Sequence, residues 1–316
     1  MSQSVVIMEE TGKNCTQAAD ELARQVSPQT MIRQSEPLAQ RTTLRVGGPA
    51  DLYIEPASEA DLASVLDFCR RRNLPFFVLG RGSNLLVKDG GFRGVVICLA
   101  QPCFSRIEVL GQRLRCGAGA RLKSVAVEAR RHGLAGLEFL EGIPGTVGGA
   151  LRMNAGAMGG ATFDIVESVK LMSWEGVLQE KPASELKAAY RSCPALKRFI
   201  ALSAVLRGEP GPRELVEQQM REFSRLRWKS QPAAPSAGCM FKNPPSIPAG
   251  KLVDELGLKG ARVGGAVVSS EHGNFIVNDG TATARDVLEL VELIQQRARA
   301  ERGIELETEV EILGDA

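Results

Sequence analysis

Apolar positions repeat along this chain with two different periods, and each period predicts a kind of element. Residues 51–55 alternate between apolar and polar positions, which is typical of a half-buried strand. Residues 59–72 show helical spacing instead, with Ser58 positioned to cap the first turn. Residues 76–79 are apolar throughout and predict a buried strand. We therefore expect a strand–helix–strand unit whose second strand ends in a glycine turn at residues 80–84.

Hairpins and helices alternate through the rest of the chain, without internal repeats. We expect hairpins over 107–116 and 165–180 and strands over 199–206 and 304–313. Helices are expected over 122–132, closed by Gly133, over 213–228, with many charges, and over 286–302, ended by Gly303. A linker over 208–212 and a loop over 230–250 separate these elements. These elements predict an α+β protein with one unit at about 41–206 and a second at about 210–316. A polar N-terminal extension, weakly helical at 18–26, precedes them.

Composition narrows the class of protein without naming a function. The chain has 316 residues, of which 44% are apolar and 24% charged, as in an ordinary globular protein of two or three domains. A net charge of +2 gives no reason to expect nucleic acid as a partner. The seven cysteines are odd in number and no two form a CxxC pair, and there are two histidines, so we expect free thiols, a cytoplasmic location and no metal site. No signal peptide, transit peptide or run of eighteen apolar residues is apparent, and we expect no membrane insertion.

Two glycine-rich segments are candidates for ligand binding. The run from Glu138 to Gly160 holds seven glycines interleaved with apolar residues, which favours close approach of main chain to a large ligand, although a bend needed for packing remains the alternative. The segment Gly80–Asn84, Gly-Arg-Gly-Ser-Asn, can direct N–H groups at a phosphate, or it can be a plain tight turn. It is neither a dinucleotide fingerprint nor a Walker A loop. Together the two segments suggest a dinucleotide bound in extended form.

Three segments further along carry candidate reactive groups. Cys239 lies in a proline-rich loop with Lys242 nearby, where a thiol can serve as a nucleophile or a proton donor, or simply as a small buried hydrophobe. Arg191 is a candidate clamp for a carboxylate or phosphate, or a surface arginine. The acidic alternation over 305–311 is typical of the exposed face of an edge strand.

The order of these motifs is similar to that of the UDP-N-acetylenolpyruvoylglucosamine reductase family, in the class with the shorter substrate domain. The resemblance covers about residues 36–314. It is carried by residues 41–50, 79–89, 136–149, 153–156, 190–192, 231–232, 235–244 and 306–310.

The resemblance implies a fold, a reaction and its cofactors. Residues 36–208 would form an FAD-binding domain of the vanillyl-alcohol-oxidase type, with two α+β subdomains at about 36–100 and 101–208. Residues 209–316 would form a smaller α+β substrate domain, and residues 1–35 an extension. The implied reaction is the NADPH-dependent reduction of UDP-N-acetylglucosamine enolpyruvate to UDP-N-acetylmuramate in peptidoglycan synthesis. We expect FAD as the cofactor, NADPH as the hydride donor and a monomeric protein.

The resemblance also implies roles for individual residues. The catalytic residues would be Arg191, Cys239 and Glu309. FAD would contact Gly80, Arg81, Gly82, Ser83, Asn84, Leu85, Gly145, Thr146, Gly148, Gly149, Asn154, Ala155 and Gly156. The substrate would contact Tyr190, Arg227, Gln231, Lys242 and Asn243.

The chain departs from the family pattern at two positions, and two other functions remain open. Met158 and Ala161 stand where the family usually has tyrosine and glutamate. One alternative is an FAD-dependent oxidase of the same fold acting on a small alcohol or sugar. The other is a non-catalytic nucleotide-binding protein, which would purify without a yellow cofactor.

Overall fold

The computed structural model of this chain describes residues 16–315, so the first fifteen positions, Cys15 among them, lie outside it. The described residues divide into two compact units. The first comprises residues 16–36, 50–80 and 93–223. The second comprises residues 37–49, 81–92 and 224–315.

The first unit is built on two sheets. A four-stranded sheet has the order Met31–Pro37, Pro49–Glu55, Phe92–Cys98, Phe76–Leu79, and its last two strands are parallel. A five-stranded antiparallel sheet has the order Leu178–Pro182, Val166–Ser173, Phe199–Arg207, Arg113–Gly117, Ile107–Leu110. Short pairs join Gly156–Ala157 to Gly160–Ala161 and Leu134–Ala135 to Glu209–Pro210.

Helices cover these sheets and bury their apolar faces. The helical segments of the first unit are residues 16–23, Glu59–Arg71, Pro102–Ser105, Leu122–Arg131, Val147–Met153 and Thr162–Ile165, with 3-10 turns at Glu138–Gly142, Ala183–Glu185 and Pro194–Lys197. Ala18 and Leu22 of the first of these helices are buried in the same apolar core as Leu62 and Leu151. That core is continuous, as expected of a single folded unit.

The second unit assembles from three separate stretches of chain. Its four-stranded antiparallel sheet has the order Ser236–Cys239, Phe275–Asn278, Ala266–Val268, Arg262–Val263. Helices Ala249–Glu255 and Ala284–Arg302 pack on it, and a 3-10 turn spans Leu38–Arg41. Strand Glu311–Leu313 pairs in parallel with Leu85–Val87. The long helix Arg213–Ser230 begins among residues of the first unit and ends among those of the second.

Most of the predicted elements are present, and their local signals explain why. Ser58 caps helix Glu59–Arg71 through a hydrogen bond from the Asp61 N–H, and Gly303 ends helix Ala284–Arg302 with a φ of 64°. Both hairpins form within a few residues of the expected positions.

Three of the element predictions are wrong. The strand expected over 304–313 is limited to Glu311–Leu313, which pair with Leu85–Val87, while Thr308 forms only an isolated bridge with Phe241. The expected linker at 208–212 includes the paired strand Glu209–Pro210, and the expected loop at 230–250 contains strand Ser236–Cys239. In all three cases, a strand-pairing partner that is distant in sequence decides where the strand forms.

Candidate functional site

The two glycine-rich segments meet inside the first unit at Gly80 and Thr146. A Cβ added to Gly80 would lie 2.8 Å from Thr146 Oγ1, closer than real Cβ atoms come to another heavy atom. Gly80 does not have a positive φ, so its glycine is explained by this close approach rather than by its backbone conformation. The two segments that were predicted to bind one ligand are therefore neighbours.

Main-chain donors are used differently in the two segments. At the start of helix Val147–Met153, the N–H groups of Val147 and Gly148 donate to the carbonyls of Ala120 and Ala118 at 2.9 and 2.7 Å. The Thr146 hydroxyl accepts from the Gly149 N–H at 3.3 Å. The N–H groups at this helix start are thus bonded to other groups of the protein, and its glycines allow close packing.

The N–H groups of residues 80–82 differ from those at the start of helix Val147–Met153. Within residues 16–315, no main-chain carbonyl accepts a hydrogen bond from the N–H groups of Gly80, Arg81 or Gly82. Gly80 and Arg81 are exposed, whereas Gly82 is buried, and a buried N–H group normally finds a partner. These three N–H groups are therefore suited to an anionic or polar ligand.

Asn154, predicted to contact the cofactor, holds two pieces of main chain. It ends helix Val147–Met153 in a left-handed conformation with a φ of 40°, which asparagine tolerates better than most residues. Its Oδ1 accepts from the Phe163 N–H at 3.1 Å, and its Nδ2 donates to the Ala189 carbonyl at 3.2 Å. Ala189 begins the turn that carries Arg191.

Arg191 sits in a tight turn with a strained backbone. Ala189 and Ser192 exchange main-chain hydrogen bonds of 2.8 and 3.1 Å, with Tyr190 and Arg191 between them. Arg191 has a φ of 53°, in the left-handed region that favours glycine. Its guanidinium carbon lies 5.2 Å from the centre of the Tyr190 ring, and that ring is largely exposed. A strained arginine in a defined turn favours a functional side chain over an incidental surface one.

Cys239 and Glu309, both in the second unit, lie on two chain segments that are joined by a hydrogen bond to Met240. Cys239 is half-buried and pairs with Phe275 after a bulge at Gly238, whose φ is 79°. The carbonyl of the next residue, Met240, accepts from the Glu309 N–H at 2.8 Å. Asn84 Nδ2 donates to the Glu309 carbonyl at 3.0 Å. The two segments that carry the candidate acid groups are therefore fixed side by side.

Arg227 lies near the Cys239 thiol and interacts with it electrostatically. Burial lowers the pKa of the Arg227 guanidinium, and the interaction with Cys239 acts in the opposite direction. A guanidinium close to a thiol favours the thiolate.

Comparison with known proteins assigns both halves of the chain to one kind of enzyme. Residues 231–313 match the family of UDP-N-acetylenolpyruvoylglucosamine reductase C-terminal domains, and residues 50–180 match the FAD binding domain family. A UDP-N-acetylenolpyruvoylglucosamine reductase of Heliobacterium modesticaldum is 47% identical, with 90% of this chain and 91% of that protein covered. One of Listeria innocua is 42% identical, with 91% and 97% covered.

The chain belongs to the UDP-N-acetylenolpyruvoylglucosamine reductase family. The crystal structure of the Thermus caldophilus reductase agrees with this, since it superimposes with a TM-score of 0.78 at 41% identity over 90% of this chain and 99% of that one. The family resemblance and the α+β class are confirmed, as are an oxidoreductase and FAD as its cofactor. No helix within residues 16–315 is both long and apolar enough to cross a membrane.

For a reductase of this family, the predicted substrate contacts have identifiable neighbours. Lys242 Nζ pairs with Glu307 at 2.9 Å, and both side chains are substantially exposed. Such a surface pair contributes about 0–1 kcal/mol, so it leaves Lys242 able to exchange partners. Asn243 Oδ1 accepts from the Ala249 N–H at 3.0 Å, at the start of helix Ala249–Glu255. The Gln231 N–H donates to the Arg227 carbonyl at 2.9 Å.

The glycine-rich segments fit the FAD that this family uses. Gly80 leaves no room for a side chain against Thr146, and the N–H groups of residues 80–82 are available as donors. A Cβ on Gly160 would lie 3.0 Å from the Phe139 ring, so Gly160 too is closely packed. Asn274, which contacts the segment after Cys239, was missed by the sequence analysis, because a lone asparagine carries no motif.

Proposed function

We propose that this chain catalyses the NADPH-dependent reduction of UDP-N-acetylglucosamine enolpyruvate to UDP-N-acetylmuramate. The observation that carries the proposal is the pairing of the Cys239 and Glu309 segments through Met240, whose carbonyl accepts from the Glu309 N–H at 2.8 Å. Two neighbouring segments that each carry a side chain able to donate a proton suit a reaction that adds hydride and proton across one double bond.

FAD, when bound, supplies a hydride from NADPH to C3 of the enolpyruvyl group. Arg191 would hold the carboxylate of that group. The guanidinium is permanently charged and planar, so it can bind both carboxylate oxygens as negative charge grows on them. The strained turn and the stacking on Tyr190 would keep the guanidinium in one orientation.

Glu309 and Cys239 would complete the addition. Glu309, in its protonated form, would donate a hydrogen bond to the same carboxylate. The Cys239 thiol would then donate its proton to C2 and leave a thiolate, which the nearby Arg227 charge stabilises. Arg227 thus assists the product side of the proton transfer.

The remaining predicted residues would bind cofactor and substrate. We assign to FAD residues 80–83, Leu85, Gly145, Thr146, Gly148, Gly149, Ala155 and Gly156. Tyr190, Arg227, Gln231, Lys242 and Asn243 would face the UDP-sugar. Asn154 and Asn84 would act through main chain, since their amides contact the Ala189 and Glu309 carbonyls.

The proposal is tested by separating the two half-reactions. Purified enzyme should oxidise NADPH rapidly only when UDP-N-acetylglucosamine enolpyruvate is present. Cys239→Ala should still be reduced by NADPH, seen as bleaching of the flavin absorbance, but should lose turnover. Cys239→Ser should keep appreciable activity because a hydroxyl can also donate the proton. Normal turnover by Cys239→Ala would remove this residue from the mechanism.

A further inference from the structure

Asn274 contacts the segment that follows Cys239 through both ends of its side chain. Its Oδ1 accepts from the Phe241 N–H and its Nδ2 donates to the Phe241 carbonyl, both at 2.8 Å. The Asn274 carbonyl accepts from the Met240 N–H, also at 2.8 Å. With its side chain 2% exposed, Asn274 makes these bonds away from water, where each is costly to lose.

The geometry of these bonds is that of a sheet continued by a side chain. Cys239 pairs with Phe275 in the ladder, and the regular pairing ends there. Asn274 immediately precedes Phe275, and its amide group takes the place of a peptide unit opposite Phe241. His272 Nδ1 accepts from the Asn274 N–H at 3.1 Å, which fixes the main chain of Asn274 as well.

The hydrogen bonds of Asn274 affect the segments of both candidate acid groups, Cys239 and Glu309. The Met240–Phe241 peptide is held on both sides: its N–H, on Phe241, donates to Asn274 Oδ1, and its carbonyl, on Met240, accepts from the Glu309 N–H. The segments of Cys239 and Glu309 are therefore aligned through one peptide that the Asn274 side chain holds. We propose that Asn274 is a positioning residue that sets the placement of the Cys239 thiol relative to Glu309. The inference rests on the proposed function for its catalytic meaning, but the placement itself can be measured separately.

A matched control lies at the other end of the same strand. Asn278 is 5% exposed, and its Nδ2 donates to the Leu44 carbonyl at 3.0 Å. Its Oδ1 accepts from the N–H groups of Gly280 and Ala282 at 2.8 and 3.1 Å. It is the same residue type and comparably buried, and its side-chain hydrogen bonds go to residues 44, 45, 280 and 282 rather than to 239–241. Asn278→Ala therefore reproduces the loss of stability without the loss of positioning.

The first measurement is the alkylation of Cys239 by iodoacetamide in the FAD-loaded enzyme, followed by peptide mass spectrometry. Cys103, which is exposed, provides the reference rate in the same molecule. We expect Asn274→Ala to change the Cys239 rate relative to Cys103 by at least about threefold, because rate follows access and ionisation of the thiol. Asn278→Ala should leave the ratio unchanged. Equal changes in the two variants, or no change in Asn274→Ala, would overturn the positioning role.

The second measurement is the pair of half-reactions, at a temperature where both variants are folded by circular dichroism. Asn274→Ala should slow reoxidation of the reduced enzyme by UDP-N-acetylglucosamine enolpyruvate about tenfold, equivalent to about 1.4 kcal/mol. Its reduction by NADPH should stay within about twofold of the wild type, a ratio below about 0.4 kcal/mol. Slowing of both half-reactions together would contradict the inference.

In Asn274→Asp, lowering the pH should partly restore substrate reoxidation, which a purely structural role would not show. Its ionised carboxylate would face the Phe241 carbonyl that Asn274 now donates to, whereas the neutral acid can donate there. Burial raises the pKa of such a carboxyl group, so the defect in substrate reoxidation should shrink relative to the wild type as pH falls towards 6. A defect that does not depend on pH would count against the assigned bond.

The alkylation result separates this inference from the proposed function. If Cys239→Ala turns over normally while Asn274→Ala still alters Cys239 alkylation, the proton-donor role fails and the positioning role stands. If Cys239→Ala is inactive and Asn274→Ala leaves alkylation and reoxidation at the wild-type level, the proposed function stands and the positioning role fails.

Discussion

Arg191 illustrates how a single residue can be kept against its own backbone preference. Its φ of 53° is a conformation that glycine adopts without cost and arginine does not. We expect Arg191→Gly to be more stable to unfolding than Arg191→Ala, by about 1 kcal/mol, because glycine relieves the left-handed strain. Both variants should lose turnover because both lack the guanidinium.

Urea unfolding curves of the two Arg191 variants measure this difference. Tyr190→Gly and Tyr190→Ala form the control pair, since Tyr190 has no positive φ and glycine should be the less stable replacement there. Equal stability of Arg191→Gly and Arg191→Ala would show that the turn stores no strain at this position.

His272 predicts how stability depends on pH. Burial, helped by the positive charge of Lys259, lowers the pKa of His272 below its ordinary value near 6.5. The folded state therefore binds the proton less tightly than the unfolded state. The free energy of unfolding should hold its full His272 contribution above about pH 6.5 and lose it as pH falls through the lower pKa of the folded state.

The His272 contribution is isolated by comparing pH series of urea unfolding. His272→Asn, which keeps an acceptor near the Asn274 N–H, should show a smaller fall in stability between pH 7 and 5 than the wild type. His132→Asn alters an exposed ring whose Nε2 lies 3.1 Å from Glu128 and serves as the control. A fall in His272→Asn as steep as in the wild type would exclude His272 as its source.

At the scale of elements, the two glycine-rich segments depend on their mutual approach. Gly80→Ala would place a methyl group 2.8 Å from Thr146 Oγ1 and push the two segments apart. We expect this change to weaken FAD binding about tenfold, or about 1.4 kcal/mol, measured by quenching of flavin fluorescence on titration into the apoprotein.

Gly142→Ala is the matched control for Gly80→Ala. Gly142 lies in the same glycine-rich run, has no positive φ, and an added Cβ would meet no atom within 4 Å. Its FAD affinity should stay near that of the wild type. Equal weakening by both substitutions would mean that loss of glycine flexibility, rather than the contact with Thr146, is responsible.

Helix Ala284–Arg302 begins on a carboxylate supplied from far away in sequence. Asp89 accepts from the N–H groups of Ala284 and Arg285, both at 2.9 Å, beside a capping box formed by Thr283 and Asp286. Because a carboxylate at a helix start satisfies donors and faces the positive end of the helix dipole, Asp89→Ala should cost about 1–2 kcal/mol.

Urea unfolding measures the cost of Asp89→Ala. Glu289→Ala removes the exposed partner of Arg285 on the same helix and should cost about 0.5 kcal/mol or less. If the two changes cost the same, Asp89 is not an effective cap.

At the scale of the whole molecule, the second unit depends on segments that lie far before residue 224 in the sequence. Leu44, Val46 and Leu86 are buried in the same core as Phe241, and Leu85–Val87 pairs with Glu311–Leu313. We expect a fragment spanning residues 224–316 to lack cooperative thermal unfolding by circular dichroism, because a core without these side chains leaves cavities of several kcal/mol. Cooperative unfolding of the fragment would contradict this requirement.

The sequence allowed more of the fold to be predicted than of the site. Helix Glu59–Arg71 was found because its apolar spacing and its Ser58 cap are local signals. Strand Ser236–Cys239 was missed because its partner, Phe275–Asn278, is distant in sequence and a proline-rich stretch suggested a loop. Helix Val147–Met153 was missed because its glycines are poor helix formers, whereas Thr146 and the Ala118 and Ala120 carbonyls hold its start.

By itself the sequence determined the family and the α+β class and proposed Arg191, Cys239 and Glu309 as catalytic residues, because motifs and periodicity are properties of nearby residues. Only the tertiary structure decided what holds the main chain around those residues in place. Asn154 reaches the Arg191 turn, Asn84 the Glu309 carbonyl, and Asn274 the Phe241 peptide beyond Cys239. Such contacts leave no periodic trace, because a buried amide hydrogen-bonds to whatever main chain the fold brings within 3 Å or so of it.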